Sequence, residues 1–225
     1  MQGVGHVFHV SIMAAPEGRP LCSRDMTRII AGDAGSLTLA VPRSGTRPTS
    51  DRVREAIFSA LEARDAIDGA VVVDLYAGSG ALGLEAASRG ASEVVLVERA
   101  KAAADVCRRN ATAVARAVRR RAPRIRVEVR SVPTYLESAP GGIDLAFIDP
   151  PYDLGERELA RDLELLAPRL ADDATVVVER SSRSPEPTWP RGISPERRRD
   201  YGETTLWWAS AAPATAQPET PSQPE

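Results

Sequence analysis

An acidic residue that closes an apolar run and is followed at once by two prolines and an aromatic has chemical content, and this chain carries it at Ile148-Asp149-Pro150-Pro151-Tyr152. The prolines fix φ and remove two backbone donors, so the segment neither extends a sheet nor starts a helix, and its carbonyls are left to accept. A planar group bearing an NH2 fits such a turn. Asp149 and the Pro150 carbonyl can take its two hydrogens while Tyr152 stacks on its ring. These three residues are the candidate catalytic set, with Pro151 beside them for the substrate. Taken alone the turn reads first as a stiff strand exit. A second set of residues upstream decides for chemistry.

That second set is Asp74-Leu75-Tyr76-Ala77-Gly78-Ser79-Gly80-Ala81-Leu82-Gly83. Gly78 and Gly80 let the backbone turn sharply and let a ligand approach without meeting a Cβ, and Gly83 permits close packing of the helix that follows. Glu98 closes the next apolar run, where a carboxylate can accept from ribose hydroxyls. Glycines between a strand and a helix, with an acid at the end of the next strand, point to a nucleoside ligand. A dinucleotide would put its pyrophosphate at the helix start. Asp74 just before the turn repels phosphate and attracts a cation, such as the ammonium and sulfonium of S-adenosylmethionine. The cofactor expected from these residues is therefore the methyl donor.

Regular elements must hold both sets. Short apolar runs at 71–75, 94–97, 125–129, 143–148 and 175–178 alternate with helical stretches near 81–89, 100–120, 132–138 and 155–168. Strands without polar alternation, separated by helices, predict an α/β fold with a parallel sheet covered on both faces. A Pro-rich loop is expected from Glu179 to Pro195, then an antiparallel hairpin of 197–201 and 204–209 with Trp207 and Trp208 on opposite faces. Upstream, 28–31 and 36–41 predict a small hairpin turning through 32–35. A helix capped at Ser50 or Asp51 follows, with Val53, Ile57, Ala60 and Leu61 on its core stripe. Arg47, Arg52 and Arg54 are expected to project from its beginning as phosphate contacts or as a salt-bridge cluster.

Composition sets bounds on this reading. The 43% hydrophobic and 27% charged shares of the 225 residues are enough for one domain with a substantial core. No apolar run reaches the length of a membrane span, and no Lys or Arg precedes an apolar segment at the start, so a cytoplasmic protein with no membrane partner is expected. Cys22 and Cys107 lack metal-ligand spacing, so no metal is expected, and Cys107 reads as a small apolar residue on a helix. Ten basic residues between Lys101 and Arg130 face only Asp105 and Glu128, a run that reads first as a solvated helix face. Residues 1–25 show no period and are expected to be a disordered arm or a start-site extension ahead of Met26. The Ala-, Pro- and Thr-rich 211–225 are expected to be a disordered tail, which leaves 26–210 as the folded domain.

The two motifs, with Arg28-Ile29-Ile30-Ala31-Gly32, Thr46-Arg47-Pro48-Thr49-Ser50-Asp51-Arg52-Val53-Arg54-Glu55 and Tyr201-Gly202-Glu203-Thr204, occur in an order that resembles the RsmD family of bacterial class I methyltransferases. The resemblance covers about residues 26–209. It implies a Rossmann-like, mostly parallel seven-stranded sheet with a C-terminal antiparallel hairpin and a small N-terminal hairpin. It also implies methyl transfer from S-adenosylmethionine to the exocyclic N2 of one guanine in 16S rRNA, with a small-subunit assembly intermediate as the expected partner. By the same resemblance Tyr76, Ala77 and Arg99 join Asp74, Gly78, Gly80 and Glu98 around the cofactor, and Thr49 joins Arg47, Arg52 and Arg54 toward the RNA. One place departs from the pattern: where the family has Gly-Asp after the third strand this chain reads Arg130-Ser131-Val132, so Ser131 or a backbone carbonyl is the expected stand-in near adenine.

Three other functions share parts of this pattern. A DNA adenine-N6 methyltransferase would use the same Asp-Pro-Pro-Tyr turn, but the chain lacks room for a sizeable target-recognition domain. A nicotinamide oxidoreductase leaves 149–152 unexplained. A noncatalytic RNA-binding protein accounts for the arginines alone.

Overall fold

A computed structural model describes residues 26–42, 50–119 and 121–212. The order of elements is β1 (Met26–Arg28), β2 (Thr38–Ala40), α1 (Asp51–Glu62), β3 (Val71–Leu75), α2 (Ala81–Ser88), β4 (Glu93–Val97), α3 (Lys101–Ala117), β5 (Arg124–Glu128), α4 (Val132–Ser138), β6 (Ile143–Ile148), α5 (Glu156–Leu166), β7 (Leu170–Ser181), β8 (Ile193–Tyr201) and β9 (Thr204–Ala211). Seven strands form one sheet in the order β5-β4-β3-β6-β7-β9-β8, and β1 pairs with β2 separately. From β5 to β7 every pairing is parallel, while β9 runs antiparallel to both β7 and β8. The expected α/β architecture with its two hairpins is the one observed.

The central strands of the sheet are buried on both faces because they alternate between two apolar surfaces rather than between core and water, while the edge strands β5 and β8 are largely exposed. Val72, Leu96, Phe147 and Trp208 pack with α1, α2 and α3, whereas Val73, Leu75, Val176 and Trp207 pack with α4 and α5. The two tryptophans leave β9 on opposite sides, as the alternation of a strand requires, and both are core residues. Phe58 of α1 meets Phe147 of β6 with ring centroids 5.7 Å apart. Burying a side chain of that size contributes about 1.5–3 kcal/mol. Cys107 is buried in the same cluster as a small apolar residue.

Boundaries depart from expectation where long-range pairing overrides local signals. Strand β7 runs from Leu170 to Ser181 instead of spanning only 175–178, and it continues past Val178 because β9 pairs with it through Ser181↔Thr204. Strand β8 begins at Ile193 and passes through Pro195, which is tolerated because β8 is an edge strand and its register shifts between Pro195 and Arg197. Ala211 is the last residue of β9 and not part of a tail. The expectations for 1–25 and for residues beyond 212 fall outside the described residues. Among the described residues no helix is long and apolar enough to cross a membrane.

The N-terminal hairpin is not an appendage. Its turn lies on the end of α2: Ile30 and Ala31 amides donate to the buried Glu85 carboxylate at 2.6 and 3.0 Å, and the Ala34 amide donates to Ser88 Oγ at 2.9 Å. Gly32 has φ +80, and a Cβ there would stand 2.1 Å from the Ser88 carbonyl oxygen, so both its conformation and its contact demand glycine.

Candidate active site

The C-terminal ends of the parallel strands carry the site, as the open edge of an α/β sheet leads one to expect. Strand β3 delivers Asp74 and then a tight turn in which Tyr76, Gly78 and Gly80 all have positive φ. The Gly80 amide donates to the Ala77 carbonyl at 2.6 Å, and the Ala77 amide to the Val97 carbonyl at 2.9 Å, which ties the turn to β4. Gly83 allows α2 to close on the sheet, since a Cβ there would lie 2.4 Å from Leu96 Cδ2 and 3.1 Å from the Asp74 Cβ.

Asp74 is buried, and its carboxylate accepts the Gly83 amide at 2.9 Å in the first turn of α2. Burial pushes its pKa up to about 7, and the charges of Asp149 and Glu98 add to the rise against that hydrogen bond. Glu98 accepts the Gly78 amide at 3.0 Å and the Ala100 amide at 2.6 Å, so one carboxylate braces the glycine turn and the exit of β4. The register explains why these acids meet. Asp74 pairs with Phe147 and Leu75 with Ile148, so Asp149 emerges from the neighbouring strand at the level of the glycine turn.

Beyond β6 the chain turns at Pro150-Pro151, with the Leu154 amide donating to the Pro151 carbonyl at 2.9 Å. Tyr152 sits at the tip and is 71% exposed. The buried Arg180 of β7 secures the far side of this loop by donating to the Leu154 carbonyl at 3.2 Å and pairing with Glu156. A narrow cleft opens between these elements, lined by Asp149, Pro150, Tyr152, Glu179, Arg180, Ser181, Ser184 and Thr204. The sequence reading missed the β7 half of that lining. Adjacency of β6 and β7 is not written in either strand, and of the rest of the lining only Thr204 of β9 was signalled, within Tyr201-Gly202-Glu203-Thr204.

Several expected site residues take other duties. Arg54 does not project from α1: it is fully buried and donates to Thr27 Oγ1 at 2.9 Å, the Arg28 carbonyl at 2.8 Å and Asp51 Oδ1 at 2.6 Å. The hairpin folded over the start of α1 has captured it, which corrects its assignment to phosphate contacts. Tyr76 turns its hydroxyl away from the glycine turn to donate to Asp162 of α5, so only its backbone and ring edge remain for a ligand. Desolvation raises both partners' pKa, and the charge of the exposed Arg99 slightly opposes the rise at the tyrosine. Ser131 is the N-cap of α4, its hydroxyl within 2.8 Å of Thr134 Oγ1 and accepting the Thr134 amide at 3.4 Å. Arg52 is exposed on α1. Arg47 and Thr49 lie outside the described residues.

One buried residue that no motif announced joins the parts. Asn110 of α3 accepts the Ala40 amide at 3.0 Å and donates to the carbonyls of Ala40 and Ser79, each at 2.9 Å. The glycine turn is thus fixed from the helix behind it.

The comparisons agree with this architecture. The family model described as Conserved hypothetical protein 95 matches residues 27–210. Ribosomal RNA small subunit methyltransferase D of Escherichia coli strain K12 is 35% identical over 177 residues, which cover 78% of this chain and 85% of that protein. The solved structure of a hypothetical protein from Thermus thermophilus superposes with a TM-score of 0.67 at 31% identity, covering 81% of this chain and 98% of the other. Magnesium protoporphyrin IX methyltransferase of Synechocystis PCC 6803, solved with bound SAM, shares the fold with a TM-score of 0.56 at 15% identity, over 72% of this chain and 79% of that one. With the family model spanning the described domain and the relative of known name matching both motif-bearing halves, the chain belongs to the RsmD family of methyltransferases.

Proposed function

We propose that this protein transfers the methyl group of S-adenosylmethionine to the exocyclic N2 amine of a guanine in 16S rRNA, presented in a small-subunit assembly intermediate. The observation that carries the reading is the meeting of Asp74, Glu98 and Asp149 at neighbouring strand ends, with Asp74 held near pKa 7 by burial and by its two acidic neighbours. Such a concentration of negative charge beside a glycine turn fits a cationic nucleoside and opposes a phosphate-bearing one. When bound there, S-adenosylmethionine supplies an electrophilic methyl group. Glu98 would hold the ribose, Asp74 and the backbone of Ala77 and Gly78 would face the amino-acid end, and Ser131 and Arg99 would form the rim near the base.

The protein's own part in the reaction is to prepare a poor nucleophile. The lone pair of a guanine amine is delocalised into the ring. Accepting its two hydrogens with the Asp149 carboxylate and the Pro150 carbonyl favours a pyramidal nitrogen and frees that lone pair for in-line attack. Asp149, already bonded to the nitrogen, takes the proton that leaves after transfer. Tyr152 at the mouth of the cleft stacks on a base that has left its own stack. No nucleophilic side chain is needed, and Cys107 is buried with burial pushing its thiol pKa up.

The test is labelled methyl transfer to small-subunit RNA by Asp149→Ala, with S-adenosylmethionine binding followed by calorimetry. Transfer should fall at least a thousandfold while affinity for the cofactor stays within a few-fold. Near-normal turnover by that variant, or a product other than N2-methylguanosine in the digested RNA, would refute the assignment.

A further inference from the structure

The Asp149-Pro150 turn reads only an NH2, and adenine, cytosine and guanine all carry one. Something else in the cleft must choose among them. Val178 of β7 is the ladder partner of Ile148, so Glu179 and Asp149 are the next residues on adjacent parallel strands, and both line the same cleft. Strand β7 is held from its other side by β9, with Glu179 opposite Leu206. The result is a pair of carboxylates side by side where β6 ends and β7 runs on to Ser181, flanked on the cleft wall by Ser181, Ser184 and Thr204.

We infer that Glu179 is the specificity-determining residue that selects guanine, by accepting the N1–H that lies beside the reactive amine. The inference rests on the function proposed above. Guanine presents two adjacent donors on its Watson–Crick edge, the N2 amine and N1–H, whereas adenine and cytosine present a ring-nitrogen lone pair next to theirs. A second carboxylate beside the first is bonded by guanine and repelled by the other two. The hydroxyls of Ser181, Ser184 and Thr204 supply donors of the kind that O6 requires. A site whose acceptors pair with a substrate donor, and are left unpaired by the analogue that lacks it, rejects that analogue more strongly than apolar contact can.

The experiment compares small-subunit particles assembled on 16S rRNA carrying either guanine or 2-aminopurine at the methylated position. The analogue keeps the N2 amine but has a lone pair at N1 and no O6, so the response of the preference to the Glu179 variants, and not its size in the wild type, reports on N1. Wild-type protein should prefer guanine by a hundredfold or more in kcat/KM. Glu179→Gln, whose amide can donate to that lone pair, should shrink the preference at least tenfold, while Glu179→Asp keeps the carboxylate and with it the preference, at a lower rate. A wild-type enzyme that methylates both RNAs alike, or a Glu179→Gln ratio within threefold of wild type, overturns the inference and leaves the guanine-N2 reading standing. If Glu179→Gln is inactive on both RNAs, the Asp variant decides: a preference lost despite its carboxylate overturns the inference. Absence of N2-methylguanosine from the wild-type product would instead remove the reading beneath it.

Discussion

The side chain of Asn110 is bonded at once to Ser79 in the glycine turn and to both backbone groups of Ala40 in the N-terminal hairpin. Three segments distant in sequence are thereby fixed by one buried amide. Asn110→Ala leaves the Ala40 amide and two carbonyls without those partners, which costs about 1–3 kcal/mol per unsatisfied group. Thermal unfolding should show a lower midpoint. Calorimetry should show weaker S-adenosylmethionine binding, and a variant with lowered stability but unchanged affinity would show that Asn110 holds the hairpin and not the turn.

Asp74 predicts a pH dependence of cofactor binding. Its carboxyl titrates near 7 in the free protein, and a cationic ligand favours the ionised form. Binding therefore releases a proton, and affinity should rise as pH goes from 6 to 8 and level off above. Asp74→Asn should flatten that rise. The folded pKa lies above the unfolded value, so the native state holds an extra proton between about pH 4 and 7, and stability from this group falls as pH rises through that window. The melting temperature of Asp74→Asn relative to wild type should accordingly improve from pH 5 to pH 8.

Arg54 is a structural cation. Replacing it by Met removes its bonds to Thr27, Arg28 and Asp51; Asp51 is solvent-exposed, so the loss comes mainly from the Thr27 hydroxyl and Arg28 carbonyl left without this partner, about 1–3 kcal/mol each. Hydrogen exchange should reveal the change first at residues 27–40, where the hairpin is released from α1. Uniform loss of protection across the sheet would indicate that the hairpin and domain unfold as one unit.

Tyr76→Phe separates scaffold from site. The hydroxyl bonds Asp162, which desolvation already drives toward the protonated form, and its removal leaves that carboxyl more strongly so. The variant should lose about 1–3 kcal/mol, with the deficit growing as pH rises, because the buried acid must then ionise without its donor. Cofactor affinity should stay within twofold, and a tenfold loss would mean the hydroxyl serves the ligand after all.

Local chemistry was the legible part of this sequence. Gly78, Gly80 and Gly83 announce a strand-to-helix turn because their positive φ or close packing is a property of a few adjacent residues. Asp149-Pro150-Pro151 likewise carries its stiffness within itself. Arg54 was misread because a few residues after Ser50 an arginine looks solvated. Only the hairpin folding back over α1 from 26–40 buries it, and nothing near residue 54 encodes that return. Glu179 and Asn110 were invisible for the same reason, since one gains its meaning from the order of strands in the sheet and the other from contacts 31 and 70 residues away. The tryptophans of β9 were placed on opposite faces by the alternation of a strand, which needs no knowledge of the partners.

Helix α2 is gripped at both ends, by Asp74 at Gly83 and by the 29–34 turn at Glu85 and Ser88. An engineer who trims the chain to a minimal catalytic core by cutting before Ser50 would strip two amides from Glu85, leaving Arg89 as its partner in a place water had not reached. The smallest viable enzyme of this kind therefore begins at the hairpin, and any graft of a foreign leader onto it must bring residues compatible with the far end of that helix.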